Sequence, residues 1–347
     1  MGSALSLSSD NESGEENNEN NYRDDDLIYQ NINDDRFKFT KIDKLQSSLI
    51  RSSRRGDIQK VQRILSKNSQ DFHININTTD GAANTPLVIA AKEGHFEIVK
   101  YLLQMGACAE GIRENSTGWT PLWVATFSGH SECVRILIQA GANIETNSPD
   151  TPLMLAAREG QADCLQLLIQ AGAKLNTHNA NKQNPLHLAC EECNIECVEI
   201  LLKQGFDVNA VDKLHRTPLY LTCSNCDSRA IECIQLLLRY NLVVDIADCH
   251  GRTPLHVSAS IGAYDAIVLL LELGADPKCM DKFGKRPSNL ASSHPLTLKL
   301  LHDAEDIPMS LINFCRLKIR KLVKKSEDRM SQLPIPTKLI QFLNFSS

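Results

Sequence analysis

The sequence predicts an all-α solenoid of stacked helix–turn–helix repeats joined by hairpin loops. Three observations carry that expectation: a Thr-Pro-Leu-like triplet that recurs at a near-constant interval, a glycine eight residues after most of its prolines, and apolar pairs at helical spacing beyond the glycine. The triplet prolines are Pro86, Pro121, Pro152, Pro185, Pro218, Pro254 and Pro287, spaced 35, 31, 33, 33, 36 and 33 residues apart. A fixed period of this length is the mark of a repeat array, in which each unit buries its apolar face only against its neighbours.

Each element follows from local chemistry. Thr-Pro supplies a capping hydroxyl and a residue whose missing N–H costs nothing in the first turn, so a helix starts at each proline. Gly94, Gly129, Gly160 and Gly262 end that first helix in the left-handed conformation. The second helix buries Ile98, Val99, Leu102 and Leu103, then Cys133, Val134, Leu137 and Ile138, then Cys164, Leu165, Leu168 and Ile169, then Cys197, Val198, Leu201 and Leu202. Gly106, Gly141, Gly172, Gly205 and Gly274 close it. In the repeat that opens at Pro218, an insertion around Cys226–Ser228 moves this cap to Asn241, the next-best residue for a left-handed end. Extrapolated backwards, the period places Leu49, Gly56, Val61, Ile64, Leu65 and Asn68 on a degenerate first repeat whose polar outer face suits an N-terminal cap. Pro287 opens a truncated last one.

Thr253-Pro254-Leu255-His256, followed by Leu270-Leu271-Glu272-Leu273-Gly274-Ala275-Asp276, resembles the ankyrin repeat almost letter for letter. The resemblance covers residues 45–304, about seven to eight repeats with the first and last degenerate, and implies a protein-binding stack without an active-site cleft. In that family the histidine of the triplet, here His187 and His256, ties repeats by hydrogen bonds. Two departures weaken single repeats: Cys193 stands where a cap glycine belongs, and Asn184 replaces the threonine before Pro185.

The period stops after residue 304. Leu311, Cys315, Ile319 and Leu322 fall on one helical stripe with Phe314 beside it. Ser310, Leu311, Cys315 and Ile319 fill the elongin-binding pattern of the SOCS box, and Leu333-Pro334-Ile335-Pro336 resembles that family's Leu-Pro-x-Pro cullin box. Together, behind repeats of this kind, they resemble the ankyrin repeat and SOCS box family. The resemblance implies a small helical domain over 305–347 and a substrate receptor of a cullin-RING ubiquitin ligase. Ser310, Leu311, Phe314, Cys315 and Ile319 would engage elongin C, with elongin B as its companion. Leu333, Pro334, Ile335 and Pro336 would select the cullin, cullin five with its RING protein. The rival reading is an ankyrin scaffold with no ligase link.

On the array, Phe127 lies six residues after Pro121, where other repeats carry Lys92, Arg158 and Glu191. It should face solvent on the concave side as a contact for a protein substrate, with Trp119 and Trp123 nearby. Local packing against a neighbouring repeat is the alternative. Cys133, Cys164, Cys197 and Cys233 occupy one inner position, each after an acidic residue, and read as small core hydrophobes. The pairs Cys190/Cys193 and Cys223/Cys226 have the gap of a zinc knuckle, but core packing already accounts for Cys190.

The remaining signals bound the setting. Net charge is −5, and 42% of residues are hydrophobic. There is no apolar run of membrane-spanning length and no secretory pattern, and twelve cysteines then read as reduced thiols in a cytoplasmic protein, with the nucleus as the alternative. Asn11, Asn77, Asn115 and Asn344 match the glycosylation pattern by chance on that reading. Residues 1–44 form an acidic, Asn-rich tail expected to be disordered. It opens Met-Gly-Ser-Ala-Leu-Ser, a myristoylation pattern at Gly2 that no polybasic patch follows. Arg316–Lys325 holds six basic side chains and reads as the solvated face of the box helix. No phosphate-cradling glycine loop, carboxylate pair or nucleophile elbow appears, so neither a catalytic residue nor a cofactor or nucleic-acid partner is expected.

Overall fold

The computed structural model describes residues 35–66, 74–111, 119–145, 150–225 and 228–306, with side chains from residue 41. Gly2, Asn68, Cys226, the basic run and both C-terminal boxes lie outside these residues. Among the described residues there are eight helix pairs and no strand. They are α1 (Asp35–Arg55) with α2 (Ile58–Ser66), α3 (Pro86–Lys92) with α4 (Phe96–Gln104), and α5 (Pro121–Phe127) with α6 (Ser131–Gln139). Next come α7 (Pro152–Arg158) with α8 (Ala162–Gln170), α9 (Pro185–Glu191) with α10 (Ile195–Lys203), and α11 (Pro218–Cys223) with α12 (Arg229–Leu237). The last are α13 (Pro254–Ile261) with α14 (Tyr264–Glu272) and α15 (Pro287–Leu290) with α16 (Pro295–Asp306). First helices pack on first helices and second on second along the stack, so the array is the solenoid the period predicts. The first helix begins at Asp35, ahead of the expected boundary at residue 45.

The caps form as the triplet requires. The hydroxyls of Thr85, Thr120, Thr151 and Thr217 accept from the N–H groups of Val88, Trp123, Met154 and Tyr220 at 3.1–3.3 Å. Asn184 was expected to weaken its repeat. Instead its Oδ1 accepts from the His187 N–H at 3.0 Å, so the cap is kept. Apolar side chains from both helix layers then merge into one core. Leu102, Leu137, Leu168, Leu201, Leu237 and Leu270 recur at 0% exposure, one per repeat. Cys133, Cys164, Cys197 and Cys233 are buried beside them as expected.

Glycines after the first helix do more than end it. Gly94 has φ +80°, and a Cβ there would sit 2.6 Å from the imidazole of His130 in the next repeat. That imidazole reaches back to the Lys92 carbonyl through Nε2 at 3.0 Å. Asn194 bonds to the Arg158 carbonyl in the same way, at 2.6 Å, over Gly160. The glycine therefore clears the space through which the next repeat locks on. Gly94→Ala should lower unfolding free energy by about 2 kcal/mol, measured by urea unfolding, because it adds both left-handed strain and the loss of the His130 bond.

Cys193 takes the same backbone conformation without being glycine, at φ +52°, and its side chain is fully buried. The following repeat keeps the locking contact all the same: Asn225 donates to the Glu191 carbonyl at 2.9 Å, as Asn194 does to that of Arg158. The second cap of that repeat corrects the expectation. Asn241 is not left-handed. The helix α12 ends at Leu237, and its end is closed by Arg239 N–H to Leu236 and Tyr240 N–H to Leu237. These tight turns make a left-handed residue unnecessary. The Asn241 carbonyl accepts from Asn209 Nδ2 of the preceding repeat at 3.0 Å.

Hairpin loops repeat a side-chain-closed turn. Asp212 Oδ1 accepts from the N–H groups of Leu214 and Arg216 at 2.8 Å, and Asp80, Asp248 and Asp281 do the same in their loops. The turn needs a left-handed third residue, which is Gly251 or Gly284 in two loops but Ala83, Lys182 and His215 in others. Ala83→Gly should therefore raise stability by about 0.5 kcal/mol, read as a higher denaturant midpoint.

Candidate functional site: an aromatic column on the first helices

Trp123 and Phe127 stand four residues apart on α5, the spacing that places side chains above one another along a helix, and Trp119 lies just ahead of its cap. Thr120 caps α5 and fixes where this stripe starts. The rings of Trp119 and Trp123 stack with centroids 5.4 Å apart and planes within 4°. Those of Trp123 and Phe127 follow at 5.5 Å and 5°. Parallel rings at this separation attract through dispersion and quadrupole terms, so the column partly orders itself.

Trp119 and Phe127 are 41% and 44% exposed. Trp123 is half-buried and packs against the core, with its Nε1 enclosed and without a hydrogen-bond partner. Trp123 is thus partly a packing residue, while the outer two rings face solvent. Neighbouring repeats have no comparable stripe. Val88 and Met154, at the position of Trp123, are buried, and Asp150 and Arg158, at the positions of Trp119 and Phe127, form an ion pair. Lys92 is exposed on the other side. The column is an apolar ridge between charged rows.

The histidines of the triplet serve the stack. His187 accepts the Asn184 N–H through Nδ1 at 3.3 Å, and its Nε2 meets the Arg216 carbonyl of the next repeat at 3.2 Å. His256 makes the same pair of contacts with Thr253 and the Lys285 carbonyl. An Nδ1 that accepts a backbone N–H leaves the proton of a neutral ring on Nε2, where the carbonyl needs it. Burial pushes the His187 imidazole down to about 4, against the opposing pull of Asp212 and the Arg216 carbonyl, and His256 is lowered for the same first reason. Burial likewise pushes the thiols of Cys133, Cys164 and Cys197 up to about 11 to 12, as inert core groups should be. Among the described residues no three His, Cys, Asp or Glu side chains are placed to hold a metal ion.

The ankyrin-repeat family model matches three times, over residues 49–148, 140–212 and 206–281, and the SOCS box model matches residues 307–344. The chain belongs to the ankyrin repeat and SOCS box family. Among relatives of this ankyrin repeat and SOCS box protein, mouse ankyrin repeat and SOCS box protein 13 is 32% identical over 90 residues, 26% of this chain and 32% of that protein. Bovine ankyrin repeat and SOCS box protein 5 is 37% identical over 82 residues, 23% of this chain and 25% of that one. Each match spans a third or less of the relative's length. The crystal structure of the human ASB11 ankyrin repeat domain superimposes with a TM-score of 0.59 at 28% identity, covering 65% of this chain and all of that domain. No helix among the described residues is long and apolar enough to cross a membrane.

Proposed function

We propose that this family member is the substrate-recognition subunit of an elongin B/C–cullin–RING ubiquitin ligase. One observation supports the reading above all: matches to ankyrin repeats (49–281) and to a SOCS box (307–344) occur in that order in one chain. Ser310, Leu311, Phe314, Cys315 and Ile319 engage elongin C, and Leu333–Pro336 engages cullin five. The array holds the target protein, and the aromatic column of Trp119, Trp123 and Phe127 is its anchor. Stacked aromatics held at a rigid helix, two of them exposed, supply contact area at little entropic cost, as interface anchors do. Catalysis is by proximity: a lysine of the target is held near a reactive thioester on another subunit, so this chain performs no chemistry itself.

The test is co-purification of the full chain from cells with elongins B and C. Wild type should bring down both, and a variant with Leu311→Ala and Cys315→Ala should lose at least nine-tenths of each. If wild type captures neither elongin, the chain is a scaffold without a ligase. The column has a separate reporter, because Trp119 and Trp123 are the only two tryptophans in the sequence. Trp119→Ala with Phe127→Ala should reduce target capture about tenfold while shifting the thermal midpoint by no more than about 2 °C. Unchanged capture would remove the column from the interface.

A further inference from the structure

Where the fourth and fifth proline-started helix pairs join, Cys190 on α9 and Cys233 on α12 bring their sulfur atoms to 3.9 Å. Both side chains are at 0% exposure. The Thr222 hydroxyl lies 3.6 Å from the Cys233 sulfur and 3.3 Å from the Cys190 carbonyl, which fixes the two thiols against each other. Cys197, at the position of Cys233 in the preceding repeat, turns its thiol to the Ala156 carbonyl instead. The local thiol chemistry is also asymmetric. The Cys233 thiol donates toward the Cys190 sulfur, and the contact between the two lowers the Cys233 thiol while burial raises that of Cys190. The irregularities of the array gather here too: the left-handed Cys193, the six-residue helix α11 and the insertion before α12. Because both sulfurs are enclosed, a peroxide reaches them through a local opening of this junction.

We propose that Cys190 and Cys233 form a covalent modification site, a buried dithiol that a hydroperoxide oxidises to a disulfide stapling α9 to α12. The Cys233 thiolate attacks a peroxide oxygen, the O–O bond breaks, and the departing alkoxide or hydroxide takes a proton. The Cys190 sulfur then attacks the resulting sulfenic sulfur. The S–O bond breaks, and hydroxide leaves with the Cys190 proton as water. Two thiols lose two electrons in total, and the hydroperoxide gains them. Closing from 3.9 Å to a bond of about 2.05 Å asks each sulfur to move about 1 Å, within reach of a side-chain adjustment.

The experiment treats the full-length chain with a small excess of hydrogen peroxide, alkylates it in denaturant and maps the cysteine peptides by mass spectrometry. Exposed Cys108 serves as the internal reference. A Cys190–Cys233 crosslinked peptide should be the main intramolecular product, dithiothreitol should reverse it, and the thermal midpoint should rise by about 5–10 °C. In a Cys190→Ala variant, Cys233 should stop at the sulfenic acid, trapped by dimedone. If that variant does not fold, the wild-type map still decides. Recovery of Cys190 and Cys233 as separate alkylated peptides after Cys108 has been oxidised would overturn the proposal, as would a crosslink of either one to Cys193 or Cys223.

Discussion

Acidification from pH 7 to pH 4 will remove about 3 kcal/mol of stability from the array through His187 alone. The folded imidazole is held neutral, its pKa pushed down to about 4 by burial, whereas in the unfolded chain it titrates near 6.5. Between those values the unfolded chain binds the extra proton. The contribution of the neutral ring is therefore complete above about 6.5 and falls away as the pH drops toward 4. The structural cause is the Nδ1 of His187, which accepts the Asn184 N–H and would be left facing a donor if protonated. Urea unfolding of wild type and His187→Gln at a series of pH values isolates this group from the carboxylates that titrate in the same range. The difference between the two proteins should change steeply from pH 6.5 to 4, and a constant difference would mean that the ring is not held neutral. His256, lowered for the same reason, should add to the wild-type slope.

Leu168→Ala should cost about 3–5 kcal/mol, the larger end of the range for a fully enclosed leucine. Leu168 lies in the middle of the core, and neighbouring repeats on both sides bury the cavity it would leave. In a one-dimensional stack the lost energy includes the coupling between neighbours as well as the repeat's own stability. Unfolding that is a single transition in wild type should therefore separate into two in the variant, seen as non-coincident circular dichroism and tryptophan fluorescence curves. A single transition displaced by less than about 1 kcal/mol would show that the site collapses without a cavity.

Much of this fold was readable from local chemistry. A proline after a threonine, a glycine eight residues on and apolar pairs at helical spacing are each decided within one repeat, so period and core followed directly. The aromatic column was half readable: the four-residue spacing of Trp119, Trp123 and Phe127 is in the sequence, but the burial of Trp123 depends on the repeats beside it. What was not readable depends on residues that meet only in space. Gly94 looked like a helix terminator, and its second reason, clearance for His130, lies 36 residues away. Asn241 reads as a left-handed cap by analogy with the glycines, whereas α12 stops at Leu237 and closes with tight turns. The contact of Cys190 with Cys233 spans 43 residues and two helices, so a single period could not reveal it. Asn184 was expected to be a weak substitute, but a carboxamide oxygen caps a helix as well as a hydroxyl does.

The division of labour between array and box is tested most directly by comparing protein abundance in cells expressing three forms: wild type, the Leu311→Ala/Cys315→Ala variant and the Trp119→Ala/Phe127→Ala variant. The same one or few proteins should be low with wild type and accumulate in both variants, because a target must be both held and delivered. If no protein responds to loss of the box residues, the chain does not act as a ligase receptor.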